Sequence, residues 1–220
     1  MSDHLAAILA RKRREIARRH AHRALFDPAR APIEREPPPA VPALRRTGGL
    51  PRVIAEVKLA SPSEGRIRAR RPGEVVRIAR AYEEAGAAAV SVLCDRAGFG
   101  GSVLDLRRAA RAVGLPVLFK EFVLDPVQLD VARVAGASMV LLLVRALPGA
   151  ALGELVRACF ERGLEPVVEA ADEREVERAL ETEARVVGVN ARDLATFRVD
   201  PALAARAVQK IPENRVAVYM

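Results

Sequence analysis

The chain has no tryptophan, and only two tyrosines and six phenylalanines among its 220 residues. Val, Leu, Ile and Ala must therefore fill the interior, a composition that suits buried parallel strands and the helices covering them. Cysteine is almost as scarce. Cys94 and Cys159 have no metal-ligand spacing and are too few for a disulfide framework, which points to reduced thiols in a cytoplasmic protein. Long apolar runs are missing too. Leu5 to Ala10 is too short for a signal core and is followed by Arg and Lys. Met139 to Val144 falls far below the roughly 20 residues of a membrane span. Half of the residues are hydrophobic, enough to bury one substantial core in a soluble domain.

Lysine is the next scarcity. The 36 basic residues include four lysines (Lys12, Lys58, Lys120 and Lys210), so arginine is the generic cation here. An ammonium can have its pKa lowered and give up a proton, whereas a guanidinium in practice cannot. Two of the four lysines fall where a hydrophobic run ends, and that placement gives a chemical reason to keep Lys there. The net charge of +8 is itself uneven. Residues 1–46 carry eleven Lys or Arg against five Asp or Glu, and the rest of the chain is nearly balanced. An arginine-rich arm of this kind can meet nucleic acid, but it is more often a solvated helix face, so a nucleic-acid partner is not expected.

His4 to Ala24 reads as an amphipathic helix, and residues 28–51 as a proline-rich linker without periodicity. Together, residues 1–50 form a basic N-terminal extension before a domain at 51–220. Regular alternation then begins. Strands are expected at 52–57, 88–93, 116–121, 138–144, 165–169, 185–189 and 215–219. Helices fit between them at 73–85, 102–113, 126–135, 150–162, 173–182 and 201–209. Asp125 and Asp172 are expected N-caps, Pro72 and Pro126 lie near helix starts, and Gly86, Gly114, Gly136 and Gly163 are expected stops. Short connections in strict alternation specify right-handed parallel crossovers, and hence an α/β fold of the TIM (β/α)8-barrel type with seven strands counted. An open doubly wound sheet is the competing architecture, but the glycine-rich turn G-x-G-x-x-G that would mark one is not found.

In such a barrel the strand C-termini share one face, and chemistry sits there. The residues at those ends are Glu56 and Lys58, Lys120, Glu169, and Asn190 with Arg192. Glu56 and Lys58 alternate with Val57 and so point to one side of their strand. The bland alternative for this pair is a structural ion pair inside the barrel, since buried charge is costly unless used or partnered. Ser61-Pro62-Ser63-Glu64-Gly65 follows as a tight loop whose hydroxyls and amides suit an anionic oxygen.

These stretches resemble one family. Val53-Ile-Ala-Glu-Val-Lys58 with Ala60-Ser-Pro-Ser-Glu-Gly65 is similar to the first strand and loop of indole-3-glycerol phosphate synthase. The resemblance continues through Phe99-Gly-Gly-Ser102, Lys120-Glu-Phe122 with Asp125-Pro126, and Val168-Glu169. It ends with Gly188-Val-Asn-Ala-Arg-Asp-Leu194 and Thr196-Phe197. It implies a cofactor-free, metal-free lyase of tryptophan biosynthesis that acts on the phosphorylated substrate 1-(2-carboxyphenylamino)-1-deoxyribulose 5-phosphate. Lys120 matches the general acid for ring closure, and Glu169 the carboxylate that stabilises developing positive charge. Glu56 and Lys58 match the acid–base pair for dehydration, and Asn190 a polar orienter. Ser61 and Arg192 match groups on the anionic substrate; Phe99 and Phe122 match apolar walls for the anthranilate ring.

The sequence departs from the family pattern mildly at Glu121, where Asp is usual, and at Ala191, where Asn is usual. Near the seventh strand the family usually reads Ser-Glu-Ser-Gly, part of its phosphate cradle; here Val218-Tyr219-Met220 occupies the approach to it. The expectation is a barrel lacking its last unit, prone to self-association through open strand edges. Besides the lyase, the residues leave open a weakly active barrel that works only with a partner or missing fragment. They also leave open a nucleic-acid-binding protein that uses the basic arm.

Overall fold

The computed structural model describes residues 3–22, 35–46, 48–62, 64–190 and 200–220. All seven expected strands form: β1 (Ile54–Val57), β4 (Ala89–Leu93), β5 (Val117–Lys120), β6 (Met139–Leu143), β7 (Glu165–Ala170), β8 (Val186–Val189) and β9 (Val216–Tyr219). So do the expected helices: α1 (Asp3–Ala21), α3 (Glu74–Glu84), α5 (Val103–Ala112), α6 (Pro126–Val134), α7 (Ala151–Glu161), α8 (Glu173–Leu180) and α9 (Pro201–Gln209). Three elements correct the sequence reading. The supposedly aperiodic linker contains the short helix α2 (Ala40–Leu44). The loop after β1 is a small antiparallel hairpin in which β2 (Ala60–Ser61) pairs with β3 (Gly65–Arg66). A one-turn helix, α4 (Arg96–Phe99), follows β4.

The helices start where short side chains can accept from orphan backbone amides. Ser102 caps α5 by accepting from the Asp105 amide, and Asp172 caps α8 by accepting from Glu175 at 2.9 Å. Asp200 caps α9, whose first residue is Pro201. Asp125 accepts from the amide of Val127 at 2.8 Å, as expected of a residue leading into α6.

By its contacts the chain divides into two compact units. One comprises Phe26–Glu121 and Asp130–Val140. In it β1 pairs in parallel with β4, β4 with β5, and β5 with the start of β6. The other comprises Met1–Leu25, Phe122–Leu129 and Leu141–Met220, and in it β7 pairs in parallel with β8, and β8 with β9. Within each unit, strand order is chain order. That is the pattern of a (β/α) barrel.

Burial follows the parallel-sheet logic. Every residue of β4, β6, β7 and β8 is buried. On β1, Val57 is buried while Glu56 and Lys58 on the other face are half-exposed, as their alternation requires. The helix α1 buries Leu5, Ile8, Leu9 and Ile16. Its His20 imidazole lies 3.1 Å from the Asp125 carboxylate within the same unit. Among the described residues, no helix is long and apolar enough to cross a membrane.

Candidate active site

In the unit containing β1, β4 and β5, one carboxylate holds two ammonium groups. Glu56 Oε2 lies 2.8 Å from Lys120 Nζ, and Glu56 Oε1 lies 3.2 Å from Lys58 Nζ. Glu56 and Lys58 share a face of β1 because they are two residues apart, while Lys120 ends β5 with β4 between. The β4 residue in register with Glu56 is Ser91, and the one in register with Lys120 is Leu93. The three charged side chains are only 24–36% exposed. Burial works to raise the pKa of Glu56, but Lys120 first and then Lys58 outweigh it, leaving the carboxyl below its ordinary value. Glu56 is therefore ionised at neutral pH. The Tyr82 hydroxyl braces the strand from α3 by donating to the Glu56 carbonyl at 3.0 Å.

The loop residues of this unit are equally defined. Ser61 is buried; its Oγ accepts from the Glu64 amide at 3.1 Å, closing the turn of the β2–β3 hairpin. Phe99 ends α4, half-buried. That helix is held by Asp95, which is 1% exposed and accepts from the Gly98 amide at 2.7 Å. The Asp95 carbonyl also accepts from the amides of Phe99 and Gly101. Gly101 is obligatory here, because a Cβ would sit 1.9 Å from the Leu93 carbonyl oxygen.

The other unit carries a second polar pair. Glu169 is 6% exposed on β7, and its Oε1 accepts from Asn190 Nδ2 at 2.9 Å. Asn190 immediately follows β8, and its own amide donates to the Ala170 carbonyl, extending the β7–β8 ladder by one residue. The two side chains line a cleft of about 10 Å³ with Leu143, Arg145, Ala170, Ala171 and Glu175. Glu175 shapes its floor by accepting from the Ala171 amide at 2.9 Å and from Arg145 Nε at 3.2 Å. Phe122 is half-buried, and its carbonyl accepts from Gln128 Nε2 at 2.9 Å. Arg192, Thr196 and Phe197 lie outside the described residues.

The structure thus joins Glu56, Lys58 and Lys120 in one cluster and Glu169 with Asn190 in another. Sequence reasoning missed the groups that brace them: Tyr82, Asp95, Gln128, Arg145 and Glu175. The spacing Asp95-x-x-Gly98 is a cap signal that was there to be read, whereas Tyr82 and Gln128 act through partners the sequence does not reveal. Chemically, the first cluster pairs proton donors with a carboxylate acceptor, and the second holds a carboxylate in fixed orientation. Among the described residues no three His, Cys, Asp or Glu side chains converge as metal ligands.

Comparison with known proteins gives a consistent result. Residues 5–220 match the family described as indole-3-glycerol phosphate synthase. The protein of that name from Leifsonia xyli subsp. xyli is 44% identical over 217 residues, covering 98% of this chain and 82% of its own length. Its counterpart in Opitutus terrae is 42% identical over 99% of this chain and 84% of that protein. The one from Mycobacterium avium is 41% identical over 97% and 78%. A solved N-acetylmannosamine-6-phosphate 2-epimerase from Clostridium perfringens aligns with a TM-score of 0.50 at 14% identity, over 66% of each chain. At that identity the likeness concerns the fold alone.

Proposed function

The chain belongs to the indole-3-glycerol phosphate synthase family, and from this we infer that it is a carboxy-lyase of tryptophan biosynthesis. It closes 1-(2-carboxyphenylamino)-1-deoxyribulose 5-phosphate to indole-3-glycerol phosphate, releasing carbon dioxide and water. The observation that carries the assignment of roles is the cluster in which Glu56 pairs with both Lys120 and Lys58.

In ring closure, the aromatic carbon bearing the carboxylate attacks the ribulose carbonyl carbon, and the carbonyl oxygen must become a hydroxyl. Lys120 supplies that proton, as an ammonium can and a guanidinium cannot. Positive charge develops on the anilino nitrogen and ring during attack. Glu169, fixed by Asn190, is the carboxylate that stabilises it. Loss of carbon dioxide returns electrons to the ring. Dehydration then needs a proton given to the leaving hydroxyl and another taken from the substrate. Lys58 and Glu56 form the acid–base pair for that step, with Glu56 ionised and able to accept. Ser61 and Arg192 contact the anionic groups of the substrate, and Phe99 and Phe122 flank the anthranilate ring.

The test is direct. The purified chain is incubated with the substrate, and indole fluorescence and released carbon dioxide are followed together. Equimolar product and carbon dioxide are expected, with both lost in Lys120→Met. A folded chain that forms neither, or a Lys120→Met variant that forms both at the normal rate, would overturn the reading.

A further inference from the structure

We propose that Gln128 is a positioning residue for the substrate's aromatic ring, acting through the backbone of the loop that carries Phe122. The inference rests on the reading of Phe122 as a wall of the anthranilate pocket. Gln128 sits in the first turn of α6 and is 1% exposed. Its amide makes two bonds, both to the segment joining β5 to α6. Nε2 donates to the Phe122 carbonyl at 2.9 Å, and Oε1 accepts from the Leu124 amide at 2.8 Å.

This geometry is more than satisfaction of a buried polar group. Between a strand end and a helix start the backbone has no regular ladder to join, so its amides and carbonyls need other partners. Here one planar side chain binds a carbonyl and an amide two residues apart and holds the peptide plane on either side of Val123. Val123 itself is 2% exposed and anchors the loop from beneath. The far end is tied independently, since Asp125 accepts from the Val127 amide through its side chain and from the Gln128 amide through its carbonyl. The plane that leads out of Phe122 is thus held on one side, and the end of β5 is held on the other, where the Lys120 carbonyl accepts from the Cys94 amide at 2.9 Å; the Phe122 Cα between them, and the direction in which its ring leaves the chain, is fixed. Leu at 128 would match the volume and leave the Phe122 carbonyl and the Leu124 amide without this partner. A displaced wall loses apolar contact with the bound ring in the ground state and the transition state alike, which weakens binding and leaves the chemical step as it was.

The clamp predicts a split that a merely structural role would not produce. Gln128→Leu should raise KM for the substrate about tenfold as the displaced Phe122 ring loses contact with it, with kcat little changed. Gln128→Glu keeps the length and the acceptor for Leu124. When ionised, it sets a carboxylate oxygen against the Phe122 carbonyl; when protonated, it donates to that carbonyl as the amide does. Its KM relative to wild type should therefore be high at alkaline pH and fall towards unity on acidification, a recovery absent in Gln128→Leu. Amide exchange at Leu124, followed by NMR, reads the clamp without reference to turnover and should accelerate in Gln128→Leu. An unchanged KM in that variant would overturn the proposal. So would a pH-independent KM ratio in Gln128→Glu, which decides the matter if Gln128→Leu does not fold. Failure of the wild-type chain to form product would instead sink the lyase reading. Retained slow exchange at Leu124 in Gln128→Leu would then separately exclude the clamp.

Discussion

Lys120 Nζ stands 2.8 Å from Glu56 Oε2, although the two residues come from β5 and β1 and β4 lies between them. The pairing ties the proposed acid for ring closure to the proposed acid–base pair for dehydration through a shared carboxylate. Substituting Lys120 by Arg preserves the positive charge and can preserve the ion pair, but it removes the tunable ammonium. Turnover should fall by at least about 100-fold while the thermal midpoint stays close to wild type. Steady-state kinetics on a variant shown to be folded checks this; near-normal turnover would take Lys120 out of the mechanism.

Glu56 gives a pH prediction with a definite sign. Burial raises its pKa, but Lys120 and Lys58 lower it further than burial raises it, so the folded value lies below the ordinary glutamate value of 4.5. The folded state then binds fewer protons than the unfolded state across that window. The stabilisation is fully present above about pH 4.5 and is lost as pH falls through the folded pKa. Denaturant midpoints for wild type and Glu56→Gln, measured between neutral and strongly acid pH, should differ by a constant amount near neutrality. They should converge only in acid. A gap that persists unchanged to the lowest pH would mean that the carboxylate charge is not what stabilises.

Much of this was legible in the sequence, for physical reasons that can be named. The seven strands announced themselves as short Val- and Leu-rich runs because parallel strands are buried on both faces, as β4 and β6 are. The shared face of Glu56 and Lys58 followed from the two-residue period of a strand. The Glu56–Lys120 ion pair did not, because it depends on which strands are neighbours and on their register. The helix α2 was hidden by its five-residue length and its lack of a side-chain cap. The β2–β3 hairpin has two residues per strand, too few for any alternation to show. Gln128 was invisible for a different reason: both of its partners are backbone atoms, which carry no sequence signature.

Gly101 tests how tightly the loop after β4 is built. A Cβ at this position would lie 1.9 Å from the Leu93 carbonyl oxygen and 2.6 Å from its carbonyl carbon, with no flexible side chain to yield. Gly101→Ala must therefore shift backbone at the end of β4, next to the Asp95 cap that holds Phe99. Overpacking of this kind costs about 1–3 kcal/mol or more. A lowered thermal midpoint with raised KM is expected. An alanine variant as stable as wild type would show that the two backbone segments can move apart at little cost.

The opposite sign from that of Glu56 is expected at Glu165, which begins β7 at the end remote from Glu169. It is 6% exposed and paired with Arg185, whose Nε donates to Oε1 at 3.2 Å and whose Nη2 donates to Oε2. Here burial wins. It raises the carboxyl pKa by more than Arg185 lowers it, so the folded value lies above the ordinary glutamate value of 4.5. The folded state therefore holds the proton more tightly than the unfolded state. The associated stability is fully present below about pH 4.5 and is lost as pH rises through the folded pKa. Glutamine copies the protonated form and never ionises. Glu165→Gln should match wild type in acid and become progressively more stable than wild type as pH rises to neutrality, even though it deletes an ion pair. Arg185 tolerates the loss because its side chain is 57% exposed, and its guanidinium also lies 5.1 Å above the Phe160 ring. Urea melts across this range measure the difference directly, and turnover should be unaffected. A variant that is less stable than wild type at neutral pH would show that the Arg185 pairing, not the cost of burial, dominates at this residue.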